Sequence, residues 1–264
     1  MKSLFYYMSV TLKYPLILVH GIAAKDNTLF WGRIPSVLKR SGVNVFWGNM
    51  DSWGNIETNA QSLQKSVDAV LNQTGASKVN IIAHSKGGID ARYLISSLGY
   101  ANKIASLTTV STPHRGVEIV DYILGFKQIQ TPLARKIAEF LAKLYGDKAP
   151  NPYGATIDLS TKSMKEFNLK NPDSTDVYYC SCCAVLKNSF DDLSYFLTYN
   201  YIKKVAGHND GIISAQSAEW GENFYLIHGA SHAEIVDIKR KSISGLNIPG
   251  EYMKMVEDLI SKGF

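Results

Sequence analysis

The stretch of sequence that decides the fold is Ile81-Ile82-Ala83-His84-Ser85-Lys86-Gly87-Gly88. An apolar run typical of a buried strand ends here, Ser85 occupies a turn, and a helical pattern begins at Gly87. So tight a turn needs small residues two positions before and two positions after the serine, and Ala83 and Gly87 meet that need. The start of the helix also favours negative charge near Ser85. We interpret Ser85 as a nucleophile; the alternative is an ordinary serine in a turn between a strand and a helix.

Strand-like runs and helical patterns alternate on both sides of this motif. The strand-like runs cover residues 14–20, 43–47, 78–84, 104–110, 177–186 and 223–228, and helical patterns cover residues 57–73, 87–97, 159–167 and 249–261. Gly75 is expected to end the first of these helices, and Ser160 or Thr161 to cap the third. This alternation predicts an α/β fold with a mostly parallel sheet flanked by helices. We predict one domain spanning residues 1–264.

The segment 117–148 interrupts the alternation. It has helical periodicity in two parts with no strand between them, and a Pro- and Gly-containing loop at 149–154 closes it. We predict a helical cap inserted at about 117–148 that covers a pocket in water. The alternative is a pair of ordinary helices that cap the core.

A serine nucleophile that attacks a carbonyl group needs backbone N–H donors for the oxyanion that forms. After a nucleophile of this type, one donor is the N–H of the next residue, here Lys86. The second comes from a loop after an earlier strand, and Gly21 lets the chain turn after the strand 14–20. We predict Ile22 as the second donor; the alternative is a plain glycine turn.

The acid and the base are expected late in the chain, in the order serine, acid, histidine. Asp210 lies at the tip of a glycine-bounded loop, and His232 follows the last strand. We predict Ser85, Asp210 and His232 as the catalytic residues, with Asp210 fixing the tautomer of His232.

Other residues of the same types are alternatives to Asp210 and His232. His228 belongs to the last strand, His84 is expected to point into the flank of the sheet, and His114 is expected to pack or hydrogen-bond in its loop. The rival acids are Asp191 and Asp192, although neighbouring aspartates in a loop are usually solvated.

Composition excludes several classes of protein. The chain has 264 residues, of which 45% are hydrophobic and 19% charged, and its net charge is +5. These values are typical of a globular protein, and no Lys/Arg run indicates a nucleic-acid partner. No apolar run is long enough to span a bilayer. The modest positive charge could favour transient contact with an anionic lipid surface.

The N-terminal residues and the cysteines bear on the cellular compartment in which the protein is expected. Residues 1–12 lack a small-residue cleavage site, so we expect no signal peptide. The default location is then the cytoplasm, and a secreted mature form is the alternative. Cys180, Cys182 and Cys183 match no zinc spacing, and we predict that they are buried in a core strand, with Cys183 facing away from the other two.

Taken together, the motifs resemble those of the bacterial triacylglycerol lipases, and they occur in the same order along most of the chain. The matching stretches are Tyr14-Pro-Leu-Ile-Leu-Val-His20-Gly21, Ala83-His84-Ser85-Lys86-Gly87-Gly88, Ser111-Thr-Pro-His-Arg-Gly116, Asn209-Asp210-Gly211 and His232. The resemblance implies an α/β-hydrolase fold, a helical lid and hydrolysis of carboxylic esters, including lipid esters such as acylglycerols. The A-x-S-x-G form resembles the Bacillus-type branch, but the zinc site of that branch is not recognisable here.

The resemblance also bears on metals and on the residue after the nucleophile. It implies no cofactor for the chemistry. Some relatives hold a structural Ca²⁺, for which Asp191 or Asp192 together with Glu234 could stand in; the alternative is surface charge. Lys86 stands where Met or Gln is commoner, and its side chain could alter the pocket mouth.

Several activities use the same catalytic residues. The main reading is a lipase that acts through an acyl-enzyme. The alternatives are a short- to medium-chain carboxylesterase, an acyltransferase or thioesterase, a peptidase, and an inactive binding module.

Overall fold

The computed structural model describes residues 11–125, 131–144, 146–243 and 245–264. Most of the N-terminal stretch for which no signal peptide is expected lies in residues 1–10, outside the described residues. Part of the predicted cap, residues 126–130 and 145, also lies outside them.

Six parallel strands of the described residues form one central sheet, which confirms the predicted fold class. The strands are β1 (Leu16–Val19), β2 (Val45–Trp47), β3 (Val79–His84), β4 (Ile104–Val110), β5 (Tyr178–Val185) and β6 (Asn223–His228). Their order across the sheet is β2-β1-β3-β4-β5-β6. The register pairs Val19 with Ala83 and His84 with Val110, so the carboxyl ends of the central strands meet at one edge. Ligands of open parallel sheets bind at this edge.

Helices cover both faces of the sheet. They are α1 (Ile34–Arg40), α2 (Ile56–Thr74), α3 (Lys86–Ser96), α4 (Glu118–Leu124), α5 (Pro132–Leu144), α6 (Pro152–Ile157), α7 (Thr161–Lys170), α8 (Phe196–Ala206), α9 (Ala215–Ala218) and α10 (Ile248–Ser261). Short 3-10 helices lie at Ala101–Lys103, Leu193–Tyr195 and Glu234–Val236. Gly75 ends α2 in the left-handed conformation, and the Ser160 side chain caps α7, both as predicted.

Alternation along the strands divides the core into two layers. In β1, Leu16 and Leu18 pack with the α1 and α10 side of the sheet, whereas Ile17 and Val19 pack with the α2 and α3 side. The same alternation separates the cysteines of β5. Cys182 and Cys183 lie in opposite layers, and all three cysteines are buried and free. Burial raises the pKa of Cys180 to about 11.

Four helices, α1, α6, α8 and α9, lie where the sequence pattern predicts none. Helix α6 occupies part of the segment 149–154 that was predicted as a loop, because the Asn151 side chain caps its start. The two longest of the four are α1 and α8. Residues 34–40 form α1, which starts with Pro35 in its first turn and packs on α10. The stretch 196–206 forms α8, although it contains Phe and Tyr residues, which are common in strands. Tertiary packing decides these two segments, because local propensity alone is a weak guide.

The insertion between β4 and β5 contains α4 and α5, so helices lie where the cap was predicted. Its role as a lid stays a prediction. Within the described ranges, no helix is both long enough and apolar enough to cross a membrane.

Candidate active site

Ser85 lies at the junction of β3 and α3 in a strained backbone conformation. Its φ is 54° and its ψ is −133°, a region that residues with a Cβ rarely adopt. The neighbouring glycines make this turn possible. A Cβ at Gly87 would collide with the carbonyl oxygen of His20, and one at Gly88 would collide with Thr112. The turn therefore holds the Ser85 side chain at the carboxyl edge of the sheet.

Three of the predicted residues form one chain of hydrogen bonds. His232 Nε2 lies 3.1 Å from Ser85 Oγ, and His232 Nδ1 lies 2.7 Å from Asp210 Oδ2. These residues come from three separate loops at the same sheet edge, 125 and 22 positions apart in the chain. The arrangement can remove a proton from the Ser85 hydroxyl group and stabilise the imidazolium that results.

Asp210 is held rigidly in its loop. It is fully buried, and its Oδ1 accepts hydrogen bonds from the N–H groups of Ile212 and Ile213. Its backbone oxygen accepts a hydrogen bond from the N–H of His232 at 2.9 Å. The loop thus contacts both the ring and the backbone of His232, which fixes the direction of the ring.

His84 is placed differently from the expectation. It does not point into the flank of the sheet but lines the cavity beside Ser85. Its Nε2 lies 3.1 Å from the backbone oxygen of His232, and the two rings are 4.6 Å apart. Burial, reinforced by the nearby His232, lowers the pKa of His84 well below its usual value. A carbonyl oxygen only accepts, so a neutral His84 donates its Nε2 proton to the loop that carries His232.

The predicted oxyanion donors flank Ser85. Gly21 approaches so closely that a Cβ there would lie 2.6 Å from the Cβ of Ser85, and Ile22 lines the same cavity. Lys86 is the first residue of α3, so its N–H belongs to the helical turn that has no partner within the helix. Two backbone segments thus converge on the serine, as the chemistry of a carbonyl attack requires.

The side chain of Lys86 does not alter the pocket mouth, contrary to expectation. It turns inward and is 1% exposed, and its Nζ lies 2.5 Å from Asp90 Oδ1. Asp90 also accepts a hydrogen bond from Asn59 Nδ2. Burying a charge is costly unless it is paired, and the inward turn supplies the pair. The spacing of four residues along a helix is a signal that the sequence does contain.

An apolar cavity of about 370 Å³ opens above Ser85 and His232. Its wall is formed mainly by aliphatic and aromatic side chains from the cap, from the turn between α6 and α7, from the loop of Asp210 and from the loops after β1 and β2. They include Phe30, Trp53, Val117, Val120, Leu159 and Ile213. Small-molecule sites are commonly of this size and apolar character. The cavity can hold an apolar chain with its carbonyl group at Ser85.

The residues weighed for Ca²⁺ do not form a metal site. Asp191 turns back into its own loop, where it accepts hydrogen bonds from the N–H groups of Lys187 and Asn188. Asp192 and Glu234 do come together, but the Nζ of Lys239 lies between them. In the part of the chain that the structure describes, no three His, Cys, Asp or Glu side chains are grouped to hold a metal ion. Ca²⁺ needs six to eight oxygen ligands, so these residues do not fit it.

Two aspartates that the sequence does not single out fasten the cap beside the cavity. Asp147 accepts hydrogen bonds from the N–H groups of Ser52 and Trp53, and Asp51 accepts from those of Lys148 and Ala149. The partners are about a hundred residues apart in the chain, so no local pattern could have revealed them.

Comparison with known proteins relates the chain to lipases and to one thioesterase family. A family model described as palmitoyl protein thioesterase matches residues 15–154. Triacylglycerol lipase 2 of Saccharomyces cerevisiae is 29% identical over 255 residues, covering 89% of this chain and 74% of that protein. A triacylglycerol lipase of Pseudarthrobacter phenanthrenivorans is 37% identical over 177 residues, which cover 61% of this chain and 55% of that protein.

Among solved structures, the lipase of Staphylococcus hyicus is similar in fold. It matches with a TM-score of 0.74 at 16% identity, over 96% of this chain and 97% of that one. Fold and relatives together define a serine ester hydrolase of the lipase type within the α/β-hydrolase superfamily. The chain belongs to the palmitoyl protein thioesterase family, whose model matches more than half of it. The predicted resemblance to lipases is confirmed, whereas the assignment to the Bacillus-type branch stays a prediction.

Proposed function

We propose that this protein hydrolyses acylglycerol esters, with Ser85 as nucleophile, His232 as general base and Asp210 as the acid that orients His232. The observation that carries the proposal is the hydrogen-bonded chain Ser85–His232–Asp210 at the base of an apolar cavity. The relatives named triacylglycerol lipase support the choice of substrate class.

The chemistry follows from this geometry. His232 Nε2 takes the proton of Ser85 as Oγ attacks the ester carbonyl carbon. The N–H groups of Ile22 and Lys86 stabilise the oxyanion. The tetrahedral intermediate collapses, and the alcohol leaves with the proton from His232. Water, activated by His232, then releases the fatty acid from Ser85. The chain supplies the nucleophile, the base and the donors, so this chemistry needs no cofactor.

Contact with a lipid surface is part of the proposal. Val117, Ile119 and Val120 at the start of the cap line the cavity, while Phe140 and Leu141 on α5 are 61% and 58% exposed. Exposed apolar side chains that lie together are typical of surfaces that meet a lipid or a partner. We propose that α5 contacts the lipid interface and that the cap then uncovers the cavity.

A thioesterase is the second candidate, because the family model carries that description. The same nucleophile and oxyanion donors serve a thioester, whose leaving thiol needs less help from a general acid. The wall of the cavity suits a fatty acyl group in either case. The two candidates therefore differ in the leaving group and not in the acyl group.

The test compares three acyl donors with one acceptor, water. Wild type and Ser85→Ala are assayed on p-nitrophenyl butyrate, emulsified long-chain triacylglycerol and palmitoyl coenzyme A. A lipase cleaves the triacylglycerol with a higher kcat/KM than the thioester, and Ser85→Ala loses activity by roughly 10⁴-fold or more. Preference for the thioester favours the second candidate, and activity on butyrate alone favours a short-chain esterase. Full activity of Ser85→Ala would rule out the assignment of the nucleophile.

Phe140→Ser and Leu141→Ser test the lipid contact. These changes should weaken activity on emulsion and leave soluble butyrate hydrolysis unchanged. Leu169→Ser on α7 is the control, because Leu169 lies outside the cap and is even more exposed, at 79%. Equal losses on both substrates would contradict a role at the interface.

A further inference from the structure

The residue before His232 is held by two carboxylates from different parts of the chain. The Ser231 N–H donates to Glu234 Oε2 at 2.9 Å, and the Ser231 hydroxyl donates to Asp192 Oδ2 at 2.7 Å. Asp192 comes from the loop after β5, whereas Glu234 lies in the short 3-10 helix just after His232. The position of the His232 loop therefore depends on two negative charges placed close together.

Two neighbouring carboxylates repel each other, and here water gives little screening, because Glu234 is 2% exposed. The ammonium group of Lys239 supplies the opposite charge. Its Nζ forms a short hydrogen bond with Glu234 Oε1 and lies 3.8 Å from Asp192 Oδ2. The hydrogen bond to Glu234 raises the pKa of Lys239, so this group stays charged. Burial works against the ionised form of Asp192, but hydrogen bonds from Ser231 and Ser194 and the charge of Lys239 hold its pKa below the usual value.

Lys239 itself is anchored by its surroundings. Two residues earlier, Asp237 accepts hydrogen bonds from the backbone and the guanidinium group of Arg33, and next to Lys239 the Arg240 side chain donates to the Thr28 carbonyl oxygen. These contacts fix residues 237–240 against the loop before α1. The segment 237–240, which is itself held in place, therefore positions the ammonium group of Lys239 next to the two carboxylates.

We propose that Lys239 is a positioning residue whose ammonium group serves as a built-in cation for the His232 loop, at the carboxylates that could stand in for the Ca²⁺ ligands of some lipases. The group neutralises Asp192 and Glu234 and keeps both in contact with Ser231. Lys239 thereby acts on the reaction through the orientation of His232 and makes no contact with Ser85. The kinetic consequence rests on the proposed function, whereas the consequence for metal dependence does not.

The experiment uses the full chain and combines thermal unfolding with kinetics. Wild type, Lys239→Met and Lys239→Arg are compared in EDTA and in millimolar CaCl₂. Lys254→Met is the matched control, because Lys254 also pairs with a glutamate, Glu251 at 2.8 Å, but on the exposed side of α10.

We expect the Tm of wild type to be the same in EDTA and in CaCl₂. Lys239→Met should lower both Tm and, by about tenfold, kcat on p-nitrophenyl butyrate, with little change in KM, because a displaced base slows the chemical step more than binding. Lys239→Arg keeps the positive charge, so its Tm and kcat should be close to those of wild type. Lys254→Met should have the same Tm and kcat as wild type.

Two results would overturn the proposal. The first is a wild-type Tm that rises with CaCl₂ or falls in EDTA, which would show that a metal ion performs this role. The second is a Lys239→Met variant that behaves like Lys254→Met. If Lys239→Met does not fold, the response of wild type to chelation and the rescue by arginine decide the question. Loss of the proposed function itself would be recognised separately, since wild type would then cleave none of the esters while the Tm comparison remained readable.

Discussion

The ammonium group of Lys86 lies 2.5 Å from a carboxylate oxygen of Asp90, and both side chains are 1% exposed. The backbone N–H of the same lysine, which is the first residue of α3 and follows Ser85, is a donor that we propose for the oxyanion. One residue therefore joins a buried ion pair to the proposed site of charge stabilisation. Asn59 links the ion pair to the loop after β2, because it donates hydrogen bonds to both Asp90 and the backbone oxygen of Asp51.

Replacing one member of the Lys86–Asp90 pair should destabilise the protein more than replacing both members. Lys86→Met leaves Asp90 buried without its partner, and we expect a loss of about 3–5 kcal/mol in the free energy of unfolding. The double variant Lys86→Met with Asp90→Leu should recover much of this loss, because no uncompensated charge remains. Urea denaturation measures both. A double variant less stable than Lys86→Met would show that packing and not charge dominates here.

Asp210→Asn should lower kcat on p-nitrophenyl butyrate by about 10⁴-fold while Tm changes little. The amide oxygen can still accept from Ile212 and Ile213, but the amide NH₂ group then faces Nδ1 of His232 and favours the wrong tautomer. Asp191→Asn is the control, because Asp191 only closes its own loop. If Asp191→Asn loses activity and Asp210→Asn keeps it, the acid has been assigned wrongly.

Gly21→Ala tests the close approach of the first loop to the nucleophile. The new methyl group would lie 2.6 Å from the Cβ of Ser85, so the loop or the serine must move. We expect kcat to fall by about 10²-fold, as misplacement of reacting groups by about an ångström does. Gly250→Ala in α10 meets only the tip of Asn247 and should be neutral. Unchanged kinetics of Gly21→Ala would remove Ile22 as an oxyanion donor.

The free energy of unfolding should decrease as the pH is lowered below about 6.5. Burial, with smaller contributions from neighbouring charged groups, lowers the pKa values of His84 and His114 well below the usual histidine value of 6.5. Between the folded and unfolded pKa values, the unfolded chain binds protons that the folded chain does not. The free energy of unfolding therefore decreases as pH falls, by up to about 1.4 kcal/mol per pH unit for each histidine.

The contribution of one histidine can be isolated by substitution. His114→Gln should reduce this pH slope by about one proton relative to wild type. Urea denaturation from pH 7.5 to 5 provides the measurement. A slope unaffected by His114→Gln would show that another group titrates.

Much of the fold was predictable because its signals are local. Apolar runs predict six strands, and A-x-S-x-G predicts the turn at Ser85. The order Ser85, Asp210, His232 predicts residues that the structure brings within hydrogen-bonding distance. Helix α8 was missed because its aromatic residues suit either kind of element.

What the sequence by itself determined is the α/β fold class and the identity of the residues that can carry the chemistry, because periodicity and turn geometry depend on neighbours in the chain. Only the tertiary structure decided which partners the polar and charged side chains have. Lys86 turned inward to Asp90 instead of to the pocket mouth, His84 reached the carbonyl group of His232, and Lys239 took the position between Asp192 and Glu234. A buried polar or charged group takes whichever partner folding brings near, because its desolvation must be compensated, and that partner can lie anywhere in the chain.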